Sequence, residues 1–397
     1  MKLLLIADGR SPITRRWIKM LQPLGYSIHL ASTYPCSPID GVREIIEMPL
    51  AFAGMAGSQA GGSTKKSPRR TRMIAHLRAV ASDLRHWLGP MTVERREKDY
   101  LELLQRVKPD LVHALRIPYE GMLAGLTPAG IPVILSTWGN DLTYHAETTN
   151  AMAASTRRAL LRANGLMSDT LRDLKLARSW SFNPAKPALA VPGNGGIDLG
   201  EIEQATRGVG LAVPWQVINP RGFRSGSVRN DTFFKSIPQV LKRHPNTQFI
   251  CPWMAGQPEA LRWIEDLHVF DNVTLLPMLT QQELWREFAR SMVTVSVSVH
   301  DGTPNSLLEA MAVGCLPVCG DIESIREWIT DGENGLLVDP TDSSALAAAI
   351  LRGIEDEGLR RMAVNRNLEV ILARAEVSAV RRQVAEFYAR IIETGDR

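Results

Sequence analysis

The chain has 397 residues, of which 45% are hydrophobic, 22% charged and 6% aromatic, an ordinary balance that excludes disordered, collagenous and repeat-array proteins and suits two domains. Apolar stretches such as 48–57 and 121–136 are short or broken by Pro, Gly and Thr, which excludes an integral membrane protein. The net charge of +4 is uneven: residues 1–200 hold 26 Lys and Arg against 16 Asp and Glu, and residues 201–397 hold 20 against 26, so the first half suits an anionic partner.

Asp8 and Arg10 directly follow the first apolar run. That leaves no room for a secretion signal, and a cytoplasmic location is expected. Short apolar runs then alternate with helical patterns: 3–7, 26–31, 111–114, 132–136, 165–168 and 188–191 in the first half, and 217–219, 248–251, 273–276, 293–297, 316–319 and 335–338 in the second. Runs of this kind separated by helices predict parallel sheets covered on both faces. The fold class is therefore α/β with two Rossmann-like domains, 1–192 and 193–378, divided at the glycine-rich turn 192–198; the chain ends in a helix at about 379–397. In that helix Val380, Val384, Phe387, Tyr388 and Ile391 share one face.

Residues 51–70 interrupt the pattern with Gly, Ala, Ser and the basic run from Lys65 to Arg70, a surface loop by composition. After it Met73, Ile74, Leu77, Val80, Ala81, Leu84 and Trp87 recur at helical spacing beside Arg72, Arg78 and Arg85. Such a helix either covers its own sheet or lies on an anionic membrane surface. No nucleic-acid motif accompanies the charge, so no nucleic-acid partner is expected. Cys36, Cys251, Cys315 and Cys319 form neither a disulfide framework nor a zinc signature, and are read as buried free thiols.

Ligands of open parallel sheets bind beyond the carboxyl ends of the strands. After the run 293–297 come Asp301, Gly302, Thr303, Pro304, Asn305 and Ser306, with Glu309 further along the helix that opens there. The free N–H groups of a first helical turn suit an anion, and Glu309 suits a ribose diol. The bland alternative is that Asp301 merely caps the helix. After the run 217–219, Arg221, Arg224 and Arg229 lie in a Gly/Ser-rich loop, where fixed cations stabilise a leaving group that gains negative charge. Solvated surface charge is the alternative. Trp253 and the loop holding Met278 and Leu279 are candidate walls for a base. No G-x-G-x-x-G occurs, which disfavours a dinucleotide oxidoreductase, and no Asp-x-Asp pair is present, so metal-independent chemistry is expected.

Asp301-x7-Glu309, with Leu-Leu-Glu-Ala-Met-Ala behind it, resembles the E-x7-E signature of retaining glycosyltransferases of family 4, the glycosyl transferases group 1 with the GT-B fold. The segments 329–338 and 194–198 are similar to two further motifs of that family, and 136–142 resembles its His-Gly-x-Asp segment. The resemblance implies two Rossmann-like domains facing across a cleft, the first binding the acceptor and the second a nucleotide-diphosphate sugar. It implies closure over the sugar, no cofactor, and transfer with retention to an acceptor hydroxyl, in surface polysaccharide or glycoconjugate synthesis. Glu309 would hold the ribose; Asp301 and the loop Gly302 to Ser306 the sugar and diphosphate. Arg224 and Arg229 match the family's Arg and Lys pair. Asp stands here where Glu is usual at 301, and Trp138 where a histidine is usual. Asn140, Asp141 or His113 would then supply the missing polar contact; His113 is otherwise a satisfied structural residue. Gly9, Arg10, Arg116, Trp138 and Asn140 fall on the acceptor side, and the basic first half points to a lipid-linked or anionic acceptor. The competing functions are another sugar-nucleotide enzyme, of epimerase or phosphorylase type, and a weakly catalytic nucleotide-sugar-binding partner protein.

Overall fold

The computed structural model describes residues 1–50, 86–212, 215–223 and 226–395. Most of the basic segment and Arg224 lie outside the described residues. The chain divides into two compact units, Met1–Gly195 with Arg381–Arg397, and Gly196–Val380. The change of unit falls inside the glycine-rich turn. Gly195 and Gly196 there have φ of 83° and 100°, values that side-chain-bearing residues rarely adopt, and a Cβ on Gly196 would lie 2.7 Å from the Ala375 carbonyl oxygen.

The first unit is built on β1 (Lys2–Ala7), β2 (Ser27–Ser32), β3 (Val42–Glu47), β4 (Leu111–Ala114), β5 (Val133–Thr137), β6 (Gly165–Ser168) and β7 (Ala188–Ala190). They form one parallel sheet in the order β3-β2-β1-β4-β5-β6-β7. β1 lies between β2 and β4, and its Leu3, Leu4, Leu5 and Ile6 are fully buried, each contributing roughly 1.5–3 kcal/mol of burial. β3 is a strand that the search for apolar runs does not find. It is the sheet edge, its residues are exposed or half-buried, and it carries Arg43, Glu44 and Glu47, charges that discourage edge-to-edge pairing. Glu44 is held there by Arg106 at 2.5 Å.

The second unit holds β8 (Gln216–Ile218), β9 (Gln248–Cys251), β10 (Val273–Leu275), β11 (Val293–Ser296), β12 (Leu316–Gly320) and β13 (Leu336–Val338), all parallel in the order β10-β9-β8-β11-β12-β13. Val293, Val295 and Val318 are fully buried, as two-sided coverage by helices requires. In each unit the first and fourth strands are neighbours, so the chain runs outward in opposite directions from that pair. A crevice opens beyond their carboxyl ends, the topological switch point where such sheets bind ligands.

The last helix, Val377–Gly395, buries Val380, Val384, Phe387, Tyr388 and Ile391. The Tyr388 hydroxyl lies 2.7 Å from His113 Nδ1, and Ser136 Oγ lies 2.8 Å from Nε2. Trp17 and Tyr388 pack edge-on against the imidazole. Both ring nitrogens are occupied, and burial pushes the His113 pKa down to about 3. Of the two readings of His113, the structure selects the structural one. His113 is a sealed core residue and is withdrawn from the catalytic candidates.

This triad sets a pH dependence. Folded, His113 stays neutral where the unfolded chain takes up a proton near 6.5, so the unfolded state binds more protons between the two values. Stability contributed by the neutral ring is complete above about 6.5 and falls as pH drops toward 3. Tyr388→Phe should cost about 1–3 kcal/mol by leaving a buried imidazole nitrogen unpaired, and His113→Gln should flatten the acid slope; urea unfolding at a series of pH values measures both.

Candidate functional site

In the second unit two loops meet at the switch point between β8 and β11. The loop after β8 is tied back to the helix Asn230–Arg243 by Asn219 Nδ2 donating to Asn230 Oδ1 at 3.1 Å and Asn230 Nδ2 donating to the Gly222 carbonyl at 2.9 Å. It is also stitched to the chain leaving β11: Arg229 N donates to Val297 O, and Val299 N to Ser227 O, both at 2.9 Å. Across this seam the buried Arg221 guanidinium forms an ion pair with the Asp301 carboxylate. Asp301 also accepts the Gly302 N–H at 3.0 Å, and its carbonyl accepts from Ser324 Oγ at 2.9 Å.

Asp301 is thus bound to Arg221. The alternative in which Asp301 caps the helix is corrected: the N-cap of the helix Asn305–Val313 is Pro304, with no side-chain cap. Arg229 turns its guanidinium onto Asp231, Nε to Oδ1 and Nη2 to Oδ2 both at 2.8 Å. That hydrogen bonding raises the Arg229 pKa and lowers that of Asp231. Arg229 therefore has its own counterion. Gly302, Thr303 and Pro304 are buried and Asn305 and Ser306 half-buried; Thr303 Oγ1 accepts from Trp328 Nε1 at 2.9 Å. Glu309, one turn into the helix, is 3% exposed, far from the solvated state of an ordinary helical glutamate.

The candidate wall comes from two other strand ends. Trp253, after β9, has φ of 65° and is 44% exposed. Its N–H donates to Pro277 O at 3.2 Å, and its Cβ would be 3.1 Å from a Cβ on Gly222. It thus joins the β10 loop to the arginine loop. In that loop Met278 is 76% exposed and Leu279 half-buried.

The first unit has a pocket of about 420 Å³ at its own switch point, where β1, β2, β4 and β5 end; Ala7, Tyr34, Leu115 and Trp138 are among its lining residues. Gly9 is buried, with its N–H donating to Ser32 Oγ at 3.1 Å, and a Cβ there would overlap Cys36 Sγ. Only glycine fits. Arg10 is paired with Asp8 through Nε at 3.1 Å and Nη2 at 3.0 Å and lies 3.5 Å above the Tyr34 ring. Arg116 is paired with Asp141 Oδ1 through Nε at 3.2 Å and Nη2 at 2.7 Å. The other Asp141 oxygen accepts the N–H groups of Ile117 at 3.0 Å and Trp138 at 3.1 Å. Asp141 is 1% exposed, so it is a buried anchor for two loops and not a group that reaches a substrate. Trp138 and Asn140 are half-buried; Asn140 Oδ1 has no hydrogen-bond partner among the described residues, and the Trp138 ring centre is 5.5 Å from the Arg116 guanidinium.

Directly after Arg116 lies a site residue that sequence reasoning does not find. In Ile117–Gly121, Pro118 and Tyr119 leave helical geometry, Tyr119 with φ 66° and ψ −54°. Strain of this kind costs on the order of 1–3 kcal/mol. The turn is pinned by Asp141 at Ile117 N and by Gly121 N donating to Arg116 O at 2.9 Å, and it places Glu120 on the pocket wall. Glu120 is 6% exposed and accepts Thr33 Oγ1 at 2.9 Å. Burial raises its pKa to about 7, against the opposing charge of Arg116. His86 and His145, 3.1 Å apart, complete another side of the pocket. A Pro-Tyr-Glu-Gly sequence directly after a central strand was the available signal.

Among the described residues no cluster of three or more His, Cys, Asp or Glu side chains could hold a metal, and no helix is long and apolar enough to cross a membrane. Residues 225–356 match the family model described as Glycosyl transferases group 1. A phosphatidyl-myo-inositol mannosyltransferase of Mycolicibacterium smegmatis is 25% identical over 291 residues, 72% of this chain and 71% of the relative. Sucrose-phosphate synthase from Thermosynechococcus elongatus superposes with a TM-score of 0.73 at 15% identity, covering 99% of this chain and 100% of that one. Anabaena HepE, solved in complex with UDP-glucose, gives 0.67 at 15% identity, covering 98% and 100%. With two parallel sheets like those of GT-B structures and a group 1 segment over residues 225–356 that spans the loop bearing Arg229 and the helix bearing Glu309, the chain has the GT-B fold and resembles the glycosyl transferases group 1.

Proposed function

We propose that the second unit binds a nucleotide-diphosphate sugar and that the enzyme belongs to the retaining family 4, transferring the sugar to an acceptor hydroxyl without a metal. The observation that carries this reading is the seam between the loops after β8 and β11, which draws the arginine loop, the Asp301 loop and the start of the Glu309 helix to one switch point. A first helical turn without a side-chain cap suits the diphosphate, and Glu309 suits the ribose diol. The base stacks by Trp253 and the Met278 loop. Anabaena HepE, solved with UDP-glucose, supports the donor class. A relative that is a mannosyltransferase supports transfer of a hexose in glycolipid or polysaccharide synthesis.

In this mechanism the diphosphate leaves with its negative charge met by fixed guanidinium groups. Arg229 is already part-neutralised by Asp231, so most of that work falls to Arg224. Arg221 acts at one remove, holding the Asp301 loop in register. The leaving phosphate oxygen accepts the acceptor proton on the face of the sugar where the new bond forms, which preserves the anomeric configuration. The basic run Lys65 to Arg72 supports peripheral contact with an anionic bilayer, where a lipid-linked acceptor would be met.

Calorimetric titration with UDP-, GDP-, ADP-, dTDP- and CDP-sugars should find one donor whose binding is insensitive to EDTA and falls at least about tenfold in Glu309→Ala. Arg224→Ala should lower kcat about 10²–10³-fold with a smaller change in donor affinity; wild-type rate and binding in both variants would show the site to be misplaced. The anomeric configuration of the product, read by NMR, decides retention. Flotation with anionic liposomes should weaken when Lys65, Lys66, Arg69, Arg70 and Arg72 are changed to Gln, and equal flotation removes the membrane contact.

A further inference from the structure

We propose that the pocket at the switch point of the first unit takes a neutral, hydroxyl-rich ring, a sugar or cyclitol with a vicinal diol, and that Glu120 is the specificity-determining residue that accepts the diol. Calling this ring the acceptor rests on the transferase reading; the pocket's ligand chemistry does not.

Size comes first. About 420 Å³ lies in the range of roughly 300–1,000 Å³ used by small-ligand sites and admits one ring with its substituents. Charge decides the class. The two guanidinium groups on the wall, Arg10 and Arg116, each have a carboxylate in close contact, Asp8 and Asp141. A phosphate or carboxylate entering the pocket would have to displace one of these carboxylates and would then face Glu120 as a third. Among the described residues, the pairing of both wall arginines favours a neutral ligand over an anionic one. Hydroxyl groups fit it well: an ionised carboxylate has acceptor sites on both oxygens and can take two adjacent hydroxyl donors at once. Such bonds are strengthened where water is largely excluded, and Glu120 is 6% exposed. The half-buried ring of Trp138 on the wall offers apolar surface to the C–H face of a sugar.

The placement of Glu120 is specific to this fold. Its carboxylate meets Thr33 from the end of β2. Its turn is held by Asp141 from the end of β5. Arg116 and Tyr119 flank it on its own segment, with Asp8 and Arg10 from the end of β1 and the His86–His145 pair elsewhere on the wall. Burial holds the carboxyl near 7 while Arg116 pulls it down and Asp141 pushes it up. The diol-accepting form is therefore the one present above about pH 7, and ligand binding should rise through that value. Any pH dependence left after removal of the carboxylate comes from the other groups on the wall, the His86–His145 pair among them.

The test uses the full chain and saturation-transfer NMR with methyl α-mannopyranoside, its 6-phosphate and myo-inositol as probes, at pH 6 and pH 8. Wild type should bind a neutral probe more tightly at pH 8, and the 6-phosphate at least about fivefold more weakly than the parent glycoside. Glu120→Gln, which keeps shape but loses the charge, should weaken the neutral probe about tenfold and flatten the profile. Wild-type binding by Glu120→Gln, preference for the phosphorylated probe, or no binding of either neutral probe overturns the proposal. Should Glu120→Gln melt early, the wild-type preference between glycoside and 6-phosphate and its pH profile decide alone. Nucleotide-sugar titrations on the same samples separate the two readings. Loss of polyol binding in Glu120→Gln with donor binding intact supports the pocket. Polyol binding without any nucleotide-sugar binding removes the donor reading and leaves the pocket standing.

Discussion

Within each sheet every strand among the described residues runs parallel to its neighbours, and that constraint organises the rest of each unit. Parallel pairing requires a crossover between neighbours, so both faces are covered by helices and all strand carboxyl ends gather on one edge. Because β1 neighbours β4 and β8 neighbours β11, the chain leaves each central pair in opposite directions and the loops part. The candidate site residues gather at those two partings: Gly9, Arg116, Glu120 and Trp138 at the first, and Arg221, Arg229 and Asp301 at the second, with Trp253 reaching in from the end of β9.

At both partings the arginines among the described residues have carboxylate partners. Arg10 has Asp8, Arg116 has Asp141, Arg221 has Asp301 and Arg229 has Asp231. A buried guanidinium without a counterion carries a large desolvation cost, and breaking a buried pair leaves the remaining charge exposed to that cost. Pairing therefore makes these arginines architectural as well as chemical. Asp141 and Arg221 show it most plainly, each fixing the loop that carries other site residues. The same pairing changes what the first unit can recognise. Whatever the net charge of its sequence, the described residues of its pocket pair each arginine with a carboxylate.

Much of this was legible in the residues. Twelve of the thirteen strands among the described residues announce themselves as apolar runs, because a strand buried on both faces must be apolar throughout. β3 escaped because an edge strand carries charge. The last helix was visible through Val380, Val384, Phe387, Tyr388 and Ile391, whose spacing is that of one helical face. The loop from Asp301 to Ser306 could be located, since the place of a loop after a strand is a local property. What each side chain does in that loop could not, because Asp301 answers to Arg221, 80 residues away. The role of Asp141, and the choice left open at His113, escaped the sequence for the same reason. A histidine at a strand end looks alike whether it faces solvent or, as here, lies between Tyr388 and Ser136.

The sequence by itself determined the fold class, the two units, the place of the loops after β8 and β11 and the resemblance to a family, because hydrophobic period and short motifs depend on neighbours along the chain. Tertiary structure decided which charges are spent on one another, which histidine is sealed, and that a strained turn after β4 sets Glu120 into a pocket. Those outcomes depend on groups brought together from distant segments, and on the burial that shifts their protonation, neither of which has a local signature.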